Sequence, residues 1–89
     1  MPRPKKKRTI ALELKCNEFV PVVPVCLDTN IMSVEELEAL RLKDCLGLEQ
    51  KKCAARMRIS QPTFHRLLLQ ARKKSSDAIV NAKELKIRA

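Results

Sequence analysis

The amino-acid sequence predicts a mostly α-helical fold with a core of three helices and a short β-strand near each end. Three observations predict it: a helix-start signal at Ser33, a short helix, tight turn and longer helix over residues 49–80, and alternating apolar residues near both ends. A chain of 89 residues has room for one thin core and no deep active-site cavity. We therefore expect a flexible basic arm over residues 1–8 and a single domain over residues 9–89.

The first helix is predicted over residues 33–47. The Ser33 hydroxyl can accept a hydrogen bond from the Glu36 backbone amide, and the Glu36 side chain can reach back in the capping-box pattern. Gly47 is the only glycine, and it can take the left-handed conformation that closes a helix. The apolar residues of this segment do not form one stripe, which favours a central helix covered on more than one side.

Residues 49–80 predict a helix-turn-helix. A short helix over about 50–57 precedes a tight turn, and Ser60 caps a second helix that should reach residue 79 or 80. Ala54 falls where only a small side chain lets two helices cross closely, and Phe64 anchors the second helix on the first. An ordinary pair of amphipathic helices could imitate these spacings, but the charge distribution favours the DNA-binding type.

Short strands are predicted on either side of the helices. Residues 9–14 alternate between apolar and polar, and so do residues 83–88. We expect residues 83–88 to form a closing strand that pairs with residues 9–14 of the same chain or of a partner. Residues 19–27 are apolar and β-branched but contain Pro21 and Pro24, which predicts a loop or an edge segment.

Charge is unevenly distributed along the chain, whose net charge is +9. Residues 51–74 contain eight Lys or Arg and no acid, whereas residues 28–49 contain six acids against two basic residues. One strongly positive surface suits a polyanion such as nucleic acid. No apolar run approaches the roughly 20 residues of a membrane span, and none of signal-peptide length follows the basic start. We expect a cytoplasmic protein with no membrane partner.

The four cysteines predict no metal or redox site. Cys16, Cys26, Cys45 and Cys53 form no C-x-x-C pair, and His65 stands apart from them in sequence. In a reducing cytosol we expect free thiols that act as small apolar residues. No carboxylate, serine or cysteine accompanies His65 at a helical spacing, so we expect no catalytic residue, no cofactor and no enzyme activity. A thiol-based metal or redox sensor would require at least three of the cysteines to converge.

The second helix of the motif is predicted to recognise DNA. Its apolar side would hold it on the domain, while its cationic side is free to lie in a major groove. Base edges would be read near its N-terminus, because Gln suits adenine and Arg suits guanine in bidentate geometry. The predicted base contacts are Gln61, Thr63, His65 and Arg66.

Phosphate contacts are predicted around this helix. Two lysines in the first turn of the short helix oppose the helix dipole, and a phosphate bound there would explain them. An arginine in the turn, where glycine is common, could reach another phosphate. The predicted phosphate contacts are Lys51, Lys52, Arg58, Ser60, Arg72, Lys73 and Lys74. The arm, with Arg3, Lys5, Lys6, Lys7 and Arg8, suits a minor groove, although an import signal or a solubilising tail would have the same composition.

A transcriptional regulator that binds double-stranded DNA is the predicted function. A homodimer is expected, because one short chain grips little DNA and a second copy supplies a second half-site. The alternative is a protein-interaction module that docks on RNA polymerase or another regulator. That module would use Leu69 and an acidic face around Glu35, Glu36 and Glu38.

Three stretches are familiar: MPRPKKKR at the start, SVEELEALRLKDCLGLEQKKCAARMRISQPTFHRLLLQARKK in the middle and DAIVNAKELKI near the end. Together they resemble the UPF 0251 (DUF 134) family of small prokaryotic proteins. The resemblance implies a DNA-binding helix-turn-helix similar to that of sigma-factor region four, and it implies no enzyme activity. Family members usually have glycine where Arg58 and Ala82 stand. The implied recognition segment contains Ser60, Gln61, Thr63, Phe64 and Arg66, with Phe64 structural.

Overall fold

The computed structural model describes residues 9–22 and 28–88. Three α-helices pack against a small three-stranded sheet, which confirms the mostly α-helical fold. None of the helices in these two ranges combines the length and the apolarity needed to cross a bilayer. The elements are β1 (Glu18–Phe19), β2 (Thr29–Ser33), α1 (Val34–Leu40), a π-helical turn (Arg41–Cys45), α2 (Gln50–Met57), α3 (Gln61–Val80) and β3 (Glu84–Arg88).

Helix α1 begins as predicted. The Ser33 hydroxyl accepts a hydrogen bond from the Glu36 amide at 3.0 Å, and the Ser33 amide donates to the Glu36 carboxylate at 2.8 Å. The helix continues through the π-helical turn, where the Leu46 amide donates to the Arg41 carbonyl at 2.9 Å. Gly47 ends it with a φ of 71°.

Two apolar clusters form the core, and α1 lies between them. The first joins α1, the π-helical turn, α2 and α3, and the second joins α1 and α3 to the sheet. Leu40 packs against both clusters, which confirms the expectation of a central helix covered on more than one side. The first cluster contains Ala39, Leu42, Cys53, Ala54, Met57, Phe64, Leu67 and Leu68, and the second contains Met32, Ala71 and Ile87.

The sheet differs from the prediction. Strand β3 confirms the predicted closing strand, but it lies in the centre, antiparallel to β1 and parallel to β2. The predicted strand over residues 9–14 is wrong, because other groups take its backbone donors. The Thr9 amide donates to the Met57 carbonyl at 3.1 Å, and the Ala11 amide donates to the Glu38 carboxylate at 2.8 Å. These bonds hold the segment on the helices instead of the sheet.

Strands β1 and β2 were not predicted from the sequence. Strand β1 has only two residues, ends two residues before Pro21 and lies at the edge of the sheet, in agreement with the predicted edge segment. The rest of the predicted 19–27 segment, from residue 23, lies outside the described residues. In β2 the two apolar residues, Ile31 and Met32, are adjacent, so the strand lacks the alternation that would identify it.

Polar contacts fasten the sheet to the C-terminal part of α3. The Asn30 side chain donates to the Asp77 carboxylate at 2.9 Å and to the Lys74 carbonyl at 3.1 Å. Hydrogen bonds from Lys83, Asn30 and Asn81, in that order of influence, lower the pKa of Asp77 to about 2. After α3 the chain turns through Ala82, whose φ of 53° is one that non-glycine residues rarely adopt.

Candidate nucleic-acid interface

A three-residue turn joins α2 to α3. Arg58 ends α2 in the left-handed conformation, with φ 55° and ψ 45°, and the Ile59 amide donates to the Ala54 carbonyl at 3.1 Å. The Ser60 hydroxyl then caps α3 by accepting from the Thr63 amide at 3.3 Å. Glycine, usual at the first position of such a turn, is therefore not needed for this backbone conformation, although arginine adopts it at a cost of roughly 1 kcal/mol or more.

Changing Arg58 to glycine is expected to stabilise the protein, since glycine adopts a positive φ without the clash of a Cβ atom. A gain of about 1 kcal/mol corresponds to a rise of about 4–8 °C in the melting temperature of a domain of this size. Arg56→Gly is the matched control, because Arg56 is exposed inside α2, where glycine costs up to about 1 kcal/mol. Thermal unfolding would measure the melting temperatures of both variants. If both temperatures changed in the same direction, the conclusion that Arg58 is strained would be contradicted.

Helix α3 has a buried side and a charged side. Phe64 and Ala71 are completely buried, and Leu68 nearly so, whereas Arg66 and Lys73 are exposed. At 100° per residue the exposed side carries Pro62, Arg66, Leu69 and Lys73 in one row. The row begins next to the turn that leads from α2 and contains no acid up to Lys73; Asp77 follows one turn later.

The predicted base-contacting residues lie in the first turns of α3. Gln61, His65 and Arg66 are exposed, and Thr63 is partly buried. The Thr63 hydroxyl accepts a hydrogen bond from the Ser60 hydroxyl at 2.8 Å. Thr63 is therefore engaged at the helix cap. The other three side chains are more accessible to DNA.

The predicted phosphate-contacting residues fall into two groups. Arg72 and Lys74 have acidic partners within the chain. The remaining members are exposed, and they lie at the start of α2, in the turn and on α3. They are Lys51, Lys52, Arg58, Ser60 and Lys73.

Arg72 forms a bidentate pair with Asp44. Its Nη2 and Nε donate to the two carboxylate oxygens at 2.7 and 3.0 Å. The hydrogen bond from Arg72 lowers the pKa of Asp44, so the carboxylate stays charged. Both side chains are more than one-third exposed, so the pair is open to exchange with an external anion.

Lys74 is held more firmly than Arg72. Its ammonium donates at 2.8 Å to the Glu36 carboxylate oxygen that also caps α1. Burial of Glu36, the largest influence, would raise its pKa, but hydrogen bonds from Lys74 and the Ser33 amide outweigh it and lower the pKa. Breaking this contact would leave a buried carboxylate without its cation, which is costly. Lys74 therefore joins α3 to the start of α1.

The predicted acidic face is wrong at Glu36 and Glu38, because both side chains point inward. Glu36 is 4 % exposed and Glu38 is 1 % exposed. Arg41 donates to Glu38 at 2.6 and 3.2 Å, and the Ala11 amide donates to it at 2.8 Å. Glu35 is also partly buried. The interaction module described above thereby loses most of its acidic docking surface.

The basic arm lies outside the described residues, but the residues that follow it are fixed. Thr9 is bonded to the last residue of α2, Met57, which directly precedes Arg58. Two residues on, Ala11 is bonded to the buried Glu38. Thr9, the first of the described residues, therefore lies beside the turn between α2 and α3.

The three cysteines within the described residues do not converge. Cys53 is completely buried, and burial raises the pKa of its thiol, which suits a small apolar core residue. Cys16 and Cys45 are exposed, so the expectation of apolar packing is wrong for these two. Cys26 is not among the described residues. Over residues 9–22 and 28–88, no group of three or more His, Cys, Asp or Glu side chains is arranged to hold a metal ion.

Comparison with known proteins identifies the family. The model of the family described as "Protein of unknown function DUF134" matches residues 1–89. The chain belongs to this family. A UPF0251 protein of Thermoanaerobacter pseudethanolicus is 51 % identical to it over 89 residues, which cover 98 % of this chain and 75 % of the relative. A UPF0251 protein of Caldanaerobacter subterraneus is 48 % identical, with the same coverage.

Other UPF0251 relatives differ in length from this chain. One from Moorella thermoacetica is 48 % identical over 98 % of this chain but only 60 % of its own length. No solved structure matches this chain, residues 1–89. The resemblance seen in the sequence is thus confirmed at the level of the family.

Sequence patterns located the exposed row on α3 but missed the acids that restrain its neighbours. Asp44 lies 28 residues from Arg72, and Glu36 lies 38 residues from Lys74. No local spacing connects residues so far apart. The capping box at Glu36 was the only available signal, and it pointed to a local role.

Proposed function

We propose that this chain binds double-stranded DNA by placing α3 in a major groove and that it regulates transcription. The observation that carries the proposal is the side of α3 that bears Arg66 and Lys73, which is exposed, cationic and, over residues 61–74, free of acids. Its opposite side is anchored by the completely buried Phe64. We further propose that this region resembles sigma-factor region four. Helix α2, the turn and α3 follow one another in the order of a helix-turn-helix, which supports this part of the proposal.

Base reading is assigned to the first turns of α3. Arg66 can donate two hydrogen bonds to guanine, and Gln61 can pair in the same way with adenine. His65 adds a donor or an acceptor next to them. Thr63 contributes through its bond with Ser60, which orders the start of the helix.

Phosphate binding is assigned to residues on either side of α3. Helix α2 has no side-chain cap at its N-terminus, where the first-turn amides point outward and Lys51 and Lys52 are exposed. A phosphate there would accept hydrogen bonds from the amides and would be attracted by the dipole and both lysines. Arg58 and Lys73 extend the positive surface, and Thr9 is bonded to Met57, the residue before Arg58.

Salt dependence of binding tests the proposal. Five or six neutralised phosphates per subunit predict a slope near −5 when log affinity is plotted against log salt concentration. Fluorescence anisotropy with a labelled duplex of mixed sequence would measure it. A flat salt response would remove this mechanism, and equal affinity for all sequences would remove base reading.

Asp44→Asn is expected to strengthen DNA binding, because the change frees Arg72 and removes one negative charge near α3. The salt slope should become steeper by about 1, as expected for one additional phosphate contact. Glu18→Gln is the matched control, because it also removes one negative charge but lies on β1, 4.0 Å from Lys86. Equal effects of the two changes would show that net charge alone, and not Arg72, is responsible.

A further inference from the structure

An apolar groove opens between the sheet and the C-terminal part of α3. Its volume is about 510 Å³. The apolar side chains at its base belong to the second core cluster or pack against it, and others form its rim. Met32, Leu37, Leu85 and Ile87 lie at the base, and Phe19, Val20 and Ile79 form the rim.

The rim side chains extend into solvent. Ile79 is 81 % exposed, Val20 is 59 % exposed and Phe19 is 53 % exposed. Together they present apolar surface on the order of 400 Å², a size at which patches on single chains are often functional. An isologous contact needs a self-complementary patch, and a projecting Ile79 beside an apolar groove provides one.

Charge also favours this end of the domain for pairing. Lys83 lies 2.9 Å from Asp77 and 3.8 Å from Asp28. Among the described residues, Lys83 is the one charged residue that lines the groove. Its positive charge is thus offset by two nearby acids. Two chains that each carry a net charge of +9 would repel through their cationic sides, and here they can approach without that repulsion.

We infer that the groove is a pairing surface for a second copy of this chain, related by a two-fold axis, with Ile79 of each copy seated in the groove of the other. The proposed function requires a dimer, and this inference identifies the surface through which the two copies pair. It rests on the proposed function only for the spacing of the two copies on DNA. The groove and α3's cationic row do not overlap. Ile79 lies 13 residues beyond Arg66, which places it about 140° around the helix and about 20 Å along it.

The arrangement suits two half-sites. With the two α3 helices in line, their Arg66 residues would be at least about 40 Å apart, twice the distance along one helix. Inclining the helices shortens this separation toward the roughly 34 Å between adjacent turns of the major groove. Pairing through the groove therefore leaves both cationic rows free to contact the same face of a duplex.

Sedimentation equilibrium over about 1–100 µM protein would measure the dimerisation of the wild-type chain and of Ile79→Arg. The wild-type chain should show a concentration-dependent dimer, and Ile79→Arg should weaken pairing at least about a hundredfold, because it buries a charge. Val80→Arg is the matched control. Val80 is 78 % exposed on the same turn but does not line the groove, so pairing should change by less than about threefold.

Three results would overturn the pairing surface: a wild-type monomer throughout, a dimer that survives Ile79→Arg, or equal losses from both arginine variants. Melting curves check folding, and both positions are exposed enough to accept arginine. Fluorescence anisotropy with a labelled duplex that contains a single half-site distinguishes failure of the pairing surface from failure of DNA binding. Monomeric Ile79→Arg should still bind it with salt dependence, whereas a dimer that binds no DNA would refute the proposed function and leave this inference intact.

Discussion

Replacing Phe64 by alanine is expected to lower the free energy of unfolding by about 3–5 kcal/mol. The Phe64 side chain is completely buried where α1, α2 and α3 meet, so its removal leaves a cavity that the neighbouring side chains fill only in part. A loss of this size is a large fraction of the stability of a small domain. Urea denaturation followed by circular dichroism would measure it.

Phe19→Ala provides the control, because these are the only two phenylalanines in the chain. The Phe19 side chain is 53 % exposed, so its loss should cost less than about 1 kcal/mol in dilute protein. Equal costs at the two positions would mean that Phe64 does not anchor α3. The orientation of the cationic row would then have no structural basis.

The second large effect is expected on DNA affinity. Arg66→Ala should weaken binding to a selected sequence by about 1–3 kcal/mol, roughly 5- to 150-fold, and should relax specificity at one base pair. Lys73→Ala should instead weaken binding to all sequences about equally, and the salt slope should become shallower by about 1. Gel shifts on selected and on mixed DNA would separate the two roles.

Leu69→Ala distinguishes DNA binding from protein interaction. Leu69 is 50 % exposed and lies between Arg66 and Lys73 on the same row, so the change alters the same surface without altering charge. We expect a change in DNA affinity of less than about 1 kcal/mol. If Arg66→Ala and Lys73→Ala leave DNA affinity unchanged while Leu69→Ala disrupts binding to RNA polymerase, the interaction module becomes the better interpretation.

Local sequence signals determined where the helices begin and end. Ser33 and Ser60 start α1 and α3 because each hydroxyl accepts from a backbone amide three residues later. Gly47 and Arg58 end their helices with positive φ. Each of these features depends on residues within one turn of one another, so a reading of neighbours along the chain was sufficient. The buried and charged sides of α3 followed from helical spacing in the same way.

Tertiary structure alone decided which distant groups meet. Residues 9–14 alternate as a strand would, yet their amides bond to Met57 and Glu38, and β3 pairs with β1 and β2 instead. The pairing of Arg72 with Asp44 was equally hidden from the sequence. One backbone amide or charged side chain along the chain resembles another, so the sequence does not indicate which of them will pair. The packing of the helices that buries apolar surface while pairing most buried polar groups selects the partners.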